Sequence, residues 1–243
     1  ASIKLLANVG SIKNIHRELV VLGQSIAFLS HDIKNILENL HGGVYVVDEA
    51  LQDNDQDLSI QGWEIVKRNI TEITRITQNI LFSAKDRKPK LQDVSPEDIA
   101  RQTGQLFLDK AQSLGVQLFL QLNPEVPNLK MDPSGISRLL SNLVWNALQA
   151  CQKDTLKGKH QVFLREDYYD NDHFMYEVED NAGGMDRETC DNIFKEFYST
   201  KGHSGTGLGL MVVKRIVSNH HGKIEVLTKK GRGSLFRIIF RLY

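Results

Sequence analysis

The chain has 243 residues and a mass of 27.5 kDa, enough for one large domain or two smaller ones with their own cores. Thirty basic and thirty acidic residues give a formal net charge of +0, which excludes a global field that would attract nucleic acid or an anionic membrane. Hydrophobic residues make up 41% and charged residues 25%, which excludes a disordered chain. With only two cysteines, Cys151 and Cys190, we expect neither a disulfide framework nor a zinc cluster.

The location of the chain follows from what its sequence lacks. It has no signal peptide and no apolar run near the ~18 residues that span a bilayer, and its few cysteines suit a reducing compartment. We therefore expect a cytoplasmic chain with no membrane contact in this fragment and no nucleic-acid partner. Because the chain begins with Ala1, the sequence leaves open whether a sensor or membrane anchor precedes it.

The first third of the chain predicts two long amphipathic helices. Residues 11–51 contain no proline and carry apolar residues at spacings of three and four, with a bend expected at Gly42 and Gly43. The segment 52–57 has turn chemistry, and the same period returns over 63–84. A single hairpin covers only one side of each apolar stripe, whereas two hairpins side by side close a four-helix bundle. We therefore predict a homodimer through this hairpin.

The rest of the chain predicts a second, mixed domain. Composition changes at 85–90, a charged stretch with a proline that is typical of a linker, so we place the domains at 1–88 and 89–243. Helices are predicted over 96–114, 133–152 and 209–220, and strands over 116–122, 161–168, 174–180, 223–228 and 234–242. Strands outnumber the crossovers of a parallel sheet, so we expect a mixed sheet with helices on one face. The predicted fold class is multidomain α+β, a long antiparallel helical hairpin followed by an α/β sandwich.

Four polar residues share one face of the helix predicted at 133–152. They are Asn142, Asn146, Gln149 and Lys153, at spacings of four, three and four. A solvated face is the simple interpretation, because most helices have one. Asparagine is a poor helix former, however, and its repetition indicates that the amide oxygens serve as ligands. Mg²⁺, an oxygen-seeking ion often shared with phosphate, suits them.

Asp180 ends a predicted strand on its apolar face. By period two it shares that face with Tyr176 and Val178, so its carboxylate needs a hydrogen-bond donor. The exocyclic amine of adenine is one candidate donor, and a turn aspartate is the alternative. The glycines that follow, Gly184 among them, let the backbone approach a flat ring closely.

A glycine-rich run opens the helix predicted at 209–220. It consists of Gly205, Thr206, Gly207, Leu208 and Gly209. Amides at a helix N-terminus form an anion site, but the run lacks the Gly-Lys-Ser/Thr of a Walker loop and no strand leads directly into it. The preceding segment 198–204 either closes over phosphates, with Lys201 as a point charge, or is an ordinary surface loop.

His31 lies mid-helix with a carboxylate beside it. Asp32 follows directly, and Asn35 shares a helix face with His31. Most helical histidines are simply half-exposed. An adjacent carboxylate orients an imidazole and accepts its proton, which is what a nucleophilic histidine requires.

Five segments together resemble, in order and over nearly the whole chain, the boxes of the sensor histidine kinases of two-component signalling. Residues 30–35 resemble the phosphoacceptor box and 142–147 the N box; the first glycine box, the F box and the second glycine box are matched by 180–185, 193–201 and 205–210. The resemblance implies a dimerisation and histidine-phosphotransfer hairpin over 1–88. It implies a catalytic ATP-binding domain of the gyrase–Hsp90–kinase–MutL type over 89–243.

The resemblance also implies roles for individual residues. Asn146 would coordinate Mg²⁺, Asp180 would bind the adenine amine, and the run 205–209 would contact phosphates under a lid. Asn142 stands where related ATPases hold a water-activating glutamate, and an amide is no such base. In the hairpin, Asp32 would assist attack by His31, and Asn35 matches a position that helps water remove phosphate from the partner.

The sequence departs from the family pattern in three places. Ala182 stands in place of a glycine, and Ile36 replaces a proline, so the usual kink is not expected. Gln149 stands where many members have a lysine, and one phosphate contact then falls to Lys153 or Lys201.

The expected activity is a protein-histidine kinase using ATP and Mg²⁺, which phosphorylates His31 and passes the phosphoryl group to an aspartate of a response-regulator receiver domain. The alternatives are an ATP-binding regulator that acts mainly as a response-regulator phosphatase, and a dimeric signalling scaffold. An ATPase of the gyrase or Hsp90 sort is disfavoured by Asn142 and the histidine hairpin.

Overall fold

The structure is a computed structural model that describes residues 27, 30–31, 33–84, 88–195, 198 and 207–242. The chain divides into two compact units, with Leu81 in the first and Phe82 at the start of the second. The domain boundary predicted between 88 and 89 stays a prediction. Within the residues that the structure describes, no helix combines the length and apolar character needed to cross a membrane.

The first unit contains the two predicted helices. Helix α1 covers 33–52, and helix α2 covers Gln56–Ala84. The turn between them is set by Asp55, whose Oδ1 accepts a hydrogen bond from the Leu58 backbone N at 2.9 Å and so caps the start of α2. Helix α2 therefore begins seven residues before the apolar period becomes visible at Trp63.

Two glycines allow α1 and α2 to pack closely. A Cβ added to Gly43 would lie 2.9 Å from Ile65 Cγ2, and one added to Gly62 would lie 2.8 Å from Val47 Cγ2. Residues 33–52 form one continuous helix. Gly43 therefore has a packing role that the sequence analysis did not predict, because that role depends on the partner helix.

The second unit contains a five-stranded sheet in the order β2-β4-β5-β7-β6. The strands are β2 (Val116–Leu122), β4 (His160–Tyr168), β5 (His173–Asp180), β6 (Lys223–Lys229) and β7 (Gly233–Arg241). The β2–β4 pair is parallel and the other three pairs are antiparallel. A separate antiparallel pair joins β1 (Gln92–Val94) to β3 (Leu129–Met131). The predicted mixed sheet is confirmed.

Among the described residues, four helices accompany the sheet: α3 (Pro96–Ser113), α4 (Pro133–Lys153), α5 (Arg187–Asn192) and α6 (Gly209–Asn219). Side chains cap three of them, since Ser95 Oγ accepts from the Asp98 N, Asp132 Oδ1 from the Gly135 N and Asp186 Oδ1 from the Thr189 N. Helices α3 and α4 also have proline in their first turn, as the sequence predicts.

The core lies between one face of the sheet and helices α3, α4 and α6. Leu143 of α4, Val162 of β4, Tyr176 of β5 and Ile238 of β7 are all at most 1% exposed in it. On the other sheet face, Arg237 Nε pairs with Glu177 at 2.7 Å, within a band of ion pairs. Helices α3, α4 and α6 cover the apolar face, and the predicted α/β sandwich is confirmed.

Candidate functional site

The two asparagines of α4 lie half-buried on one side of that helix, as predicted. Asn142 Nδ2 donates to the backbone oxygen of Arg138 at 2.9 Å, one turn earlier. Its Oδ1 faces the start of α6, because a Cβ on Gly209 would lie 2.9 Å from that oxygen. The fold therefore brings the amide face of α4 to the glycine at which α6 begins. Gly209 leaves the space that the Asn142 amide uses.

The start of α6 is suited to bind an anion. Gly207 has a φ of 63°, Leu208 is 1% exposed, and Gly209 is the first residue of the helix. Within the described part of the chain, no side-chain hydrogen bond caps this helix and its first turn contains no acidic residue. The N–H groups of a first helical turn have no partner within the helix and carry partial positive charge.

Asp180 is a buried carboxylate at the end of β5, 6% exposed. Burial raises its pKa to about 6, against the opposing effect of hydrogen bonds from the backbone of Ala182 and Ser234 and of the Lys157 charge. Its Oδ1 accepts a hydrogen bond from the Ala182 N at 2.9 Å. This is the contact of a turn aspartate, which was the alternative role considered for Asp180. At neutral pH the group is mostly ionised and can accept hydrogen bonds.

The glycine turn after Asp180 packs against the β6–β7 hairpin. Gly184 has a φ of 64°, and a Cβ there would lie 2.2 Å from the backbone oxygen of Lys229. Gly184 thus has a packing role, and its predicted nucleotide contact stays a prediction. Ala182, which replaces the family's glycine, is fully buried and has no left-handed φ, so alanine fits its backbone.

Lys157 is a site residue that the sequence analysis missed. Its Nζ donates to the backbone oxygens of Asn181 and Ala182, the latter at 3.1 Å, and so holds the turn that follows Asp180. Lysines in polar loops are usually solvated, and no spacing in the sequence marks this one. Lys153, which the sequence analysis proposed as a phosphate contact, is exposed at the end of α4, and that role stays a prediction.

The His31 ring lies beside Asn35 on the hairpin. Asn35 Nδ2 donates to His31 Nδ1 at 3.2 Å across one helical turn. With the Asn35 amide in this orientation, a neutral His31 ring carries its proton on Nε2. If the amide were rotated so that its Oδ1 faced the ring, the proton would be on Nδ1. The predicted shared face is therefore present.

Some predicted site residues lie outside the described residues. These are Asp32 next to His31, and Lys201, Gly205 and Thr206 of the loop before α6. Their predicted roles stay predictions.

Asp180 also lines a cavity of about 630 Å³. The remaining lining residues come from the end of β5, from α5 and its preceding turn, and from the β6–β7 hairpin. None comes from α4 or α6, so this cavity is distinct from the space beside Asn142 and Gly209.

The donor set fits a magnesium ion that is shared with phosphate. No group of three or more His, Cys, Asp or Glu side chains able to hold a metal occurs among the described residues. Mg²⁺ usually keeps few protein ligands and takes the rest from substrate phosphates and water. The predicted protein ligand is a single amide oxygen on α4, that of the half-buried Asn146, and this role stays a prediction.

Comparison with known proteins agrees with these features. Residues 131–243 match the family described as Histidine kinase-, DNA gyrase B-, and HSP90-like ATPase. The chain is 29% identical over 222 residues to the sensor histidine kinase ZraS of Escherichia coli K12, covering 91% of this chain and 46% of ZraS. It is 27% identical over 221 residues to the histidine-protein kinase AtoS of the same organism, covering 91% and 35%. The chain thus spans less than half the length of these relatives.

The fold is also similar to solved structures. It matches the crystal structure of histidine kinase ThkA in complex with response regulator protein TrrA with a TM-score of 0.67 at 21% identity, covering 94% of this chain and 64% of that one. At this identity the likeness shows a common fold. The resemblance that five sequence segments indicated is confirmed: residues 131–243 match the ATPase family, and the chain as a whole is similar to sensor histidine kinases of two-component signalling.

Proposed function

We propose that the protein is an ATP-dependent protein histidine kinase, which transfers the γ-phosphoryl group of ATP to His31 and then to an aspartate of a receiver domain. The observation that carries the proposal is the meeting of the Asn142 amide with the glycine start of α6. The names of the relatives ZraS and AtoS support the kinase activity. The complex of ThkA with TrrA supports a response regulator as the partner.

Asp180 recognises the base in this proposal. An ionised carboxylate accepts a hydrogen bond from the exocyclic amine of adenine, whereas the corresponding carbonyl of guanine would repel it. Because the pKa of Asp180 is raised to about 6, this recognition weakens as the pH falls through that value.

The start of α6 and the run before it hold the phosphates. Gly207, Leu208 and Gly209 lie where backbone N–H groups meet an anion, and Gly205 and Thr206 extend the run. Lys153 or Lys201 adds a positive charge. Asn146 supplies an amide oxygen for Mg²⁺, which when bound neutralises phosphate oxygens.

The phosphoryl transfer needs one ring nitrogen of His31 that turns its lone pair to the γ-phosphorus while the other ring nitrogen carries the proton. That nitrogen attacks the γ-phosphorus in line with the bond to the β-phosphate oxygen, which breaks and releases ADP. The proton on the other ring nitrogen passes to Asp32, the adjacent carboxylate. A receiver aspartate then attacks the phosphorus, the P–N bond breaks, and the proton returns from Asp32 to restore the neutral imidazole.

Asn142 keeps the site from hydrolysing ATP. An amide cannot take a proton from water, and Asn142 is already bonded to the Arg138 backbone oxygen at 2.9 Å. The γ-phosphoryl group therefore remains available for His31.

The hairpin serves as the homodimer interface. Both of its helices expose large apolar side chains: Ile33, Leu37, Val44, Tyr45 and Leu51 on α1, and Ile60, Trp63 and Ile70 on α2. Exposed apolar stripes of this kind are typical of association sites. Pairing two hairpins into a four-helix bundle would bury them.

The kinase proposal is tested by the chemistry of the label from γ-labelled ATP. A phosphoryl group on nitrogen is labile in acid and stable in base, so we expect an acid-labile, base-stable label that His31→Gln abolishes. His41→Gln is the matched control, because His41 is an exposed histidine on the same helix. No label in the wild type, or a label retained by His31→Gln, would contradict the proposal.

A phosphatase activity toward the receiver is a second candidate, which the contact between Asn35 and His31 favours. An amide 3.2 Å from the ring can also orient a water molecule toward a phosphorylated receiver aspartate. Phosphate release from a phosphorylated receiver, lost in Asn35→Ala while His31 labelling persists, would support it. Equal release by Asn35→Ala and wild type would contradict it.

A further inference from the structure

The loop between α4 and β4, residues 154–159, carries a lysine directed at the protein interior. Lys157 is half-buried, and its Nζ donates to two consecutive backbone oxygens, those of Asn181 and Ala182. A lysine that satisfies two carbonyls of one turn restricts both peptide planes. The turn in question follows Asp180 directly.

Hydrogen bonds fix this loop in place before any ligand binds. The Leu156 N donates to Asp154 Oδ1 at 3.0 Å, and His160 Nε2 lies 2.9 Å from the Asp154 backbone oxygen. The two loops are also joined to each other, since Asn181 Nδ2 donates to the Lys159 backbone oxygen at 3.2 Å. The ammonium group of Lys157 is therefore held in a preorganised position.

One residue, Ala182, connects Lys157 to Asp180. The Ala182 N donates to Asp180 Oδ1 at 2.9 Å, and the Ala182 oxygen accepts from Lys157 Nζ at 3.1 Å. A change at Lys157 therefore reaches the carboxylate through a single residue.

Lys157 also acts on the Asp180 carboxylate through its positive charge. Lys157 favours the ionised carboxylate, whereas burial and the neighbouring Glu179 oppose it. The buried Cys151 thiol is near too, but burial raises its pKa to about 12 and it stays neutral. Lys229 and Arg232 line the same cavity as Asp180 from the β6–β7 hairpin.

We propose that Lys157 is a positioning residue for nucleotide recognition: its ammonium group fixes the turn after Asp180 and places a positive charge beside that carboxylate. The inference rests on the proposed function, in which ionised Asp180 accepts a hydrogen bond from adenine. Without Lys157 the carboxyl would retain its proton to higher pH, and a protonated carboxyl no longer discriminates adenine from guanine.

The first test measures Asp180 in the protein without nucleotide. Carboxyl-carbon NMR, with Asp180→Asn to assign the signal, follows the titration of Asp180 in the wild type and in Lys157→Gln. We expect a wild-type midpoint near the pKa of about 6 and an upward shift of about one pH unit in the variant. Lys157→Arg should keep the wild-type midpoint. Lys159→Gln, the matched control two residues away, should keep it as well, because the Lys159 side chain is exposed.

The second test is ATP affinity by calorimetry from pH 5.5 to 8.5. A midpoint one unit higher predicts a roughly fivefold loss of ATP affinity for Lys157→Gln at pH 6 and almost none at pH 8, with a smaller preference for ATP over GTP. Lys157→Met keeps the aliphatic stem and replaces Lys157→Gln if the latter does not fold.

The two outcomes separate the two proposals. An unchanged Asp180 midpoint in the neutral variants, or a loss of ATP affinity that is equal at every pH, overturns the role of Lys157. If instead the wild type binds no ATP at any pH, the proposed function fails, while the midpoint still decides whether Lys157 controls Asp180.

Discussion

The two units of this protein differ in how they cover their apolar side chains. In the sheet unit, helices α3, α4 and α6 close a core whose central residues are almost fully buried. In the hairpin, the buried hydrophobic residues among the described side chains are Ala50, Val66 and Ile76. Large apolar side chains of the hairpin, such as Trp63, remain half exposed.

This difference separates two tasks. The sheet unit completes its own core, so it can hold Asn142, Asp180 and Gly209 in fixed positions, as the proposed nucleotide site requires. The hairpin is incomplete on its own, which suits a unit that associates with a second copy and presents His31.

The largest effect is expected for a charge placed on the exposed stripe of the hairpin. Ile70→Glu would bury a carboxylate in the proposed dimer interface, so we expect the dimer dissociation constant to rise by at least about 100-fold. Light scattering coupled to size-exclusion chromatography measures the change. Leu106→Glu is the control in the sheet unit, where Leu106 is 76% exposed on α3. A dimer that survives Ile70→Glu, or that Leu106→Glu disrupts, would remove the distinction between the units.

The next effect concerns Glu166, a carboxylate in the sheet core that is 1% exposed. Its Oε2 accepts from the Asn123 N at 3.1 Å, whereas its Oε1 is buried without a hydrogen-bond partner. Burial raises its pKa to about 7 from the ordinary value of 4.5. The folded protein therefore keeps a proton that the unfolded chain releases, and this contribution to stability is lost as the pH rises from 4.5 to 7.

Glu166→Gln removes this titration and retains an oxygen for the Asn123 N. We expect the variant to be more stable than wild type by about 2 kcal/mol at pH 8, and by much less at pH 5. Urea unfolding at the two pH values measures the difference, with the exposed Glu125→Gln as control. An equal gain at both pH values would mean that titration of Glu166 is not the cause.

Gly209→Ala tests the contact between α4 and α6. The new Cβ would lie 2.9 Å from Asn142 Oδ1, so either the amide or the helix start must move. We expect ATP affinity to fall about tenfold, because a displacement of this kind disturbs the phosphate site. Gly42→Ala, where a Cβ meets nothing within 4 Å, is the control in the hairpin and should leave ATP affinity unchanged. Wild-type affinity in Gly209→Ala would exclude this pair from the nucleotide site.

The smallest effect concerns two non-glycine residues with left-handed backbone. His221, just after α6, has a φ of 55°, and Asn54, in the hairpin turn, has a φ of 53°. Asparagine tolerates this conformation better than histidine. We expect His221→Gly to stabilise the protein by about 0.5–1 kcal/mol and Asn54→Gly by only about a few tenths. Thermal unfolding of both variants tests the order, and a larger gain for Asn54→Gly would reverse it.

Clear periodicity made much of the fold predictable from the sequence. The strand Val116–Leu122 and the starts of α3, α4 and α6 were predicted at their observed residues, because each has either alternation or a proline or glycine signal. The short strands β1 and β3 and the six-residue helix α5 were not predicted, since so few residues show no period.

The site was predictable where a motif carries the chemistry and not where tertiary contact does. The shared faces of His31 with Asn35 and of Asn142 with Asn146 follow from helical spacing alone. The hydrogen bonds of Lys157 join its loop to a turn that lies 24 residues later in the sequence. No local sequence pattern predicts such a contact. The same holds for the close approach of Gly43 and Gly62.

The most direct test of the account is the position of the phosphoryl group after the protein has been incubated with ATP and Mg²⁺. Mass spectrometry of peptides kept at alkaline pH locates it. The account predicts a single phosphorylated residue, His31, with phosphorylation abolished in Asp180→Asn. Phosphorylation of a serine, threonine or tyrosine, or release of free phosphate with His31 unmodified, would contradict it.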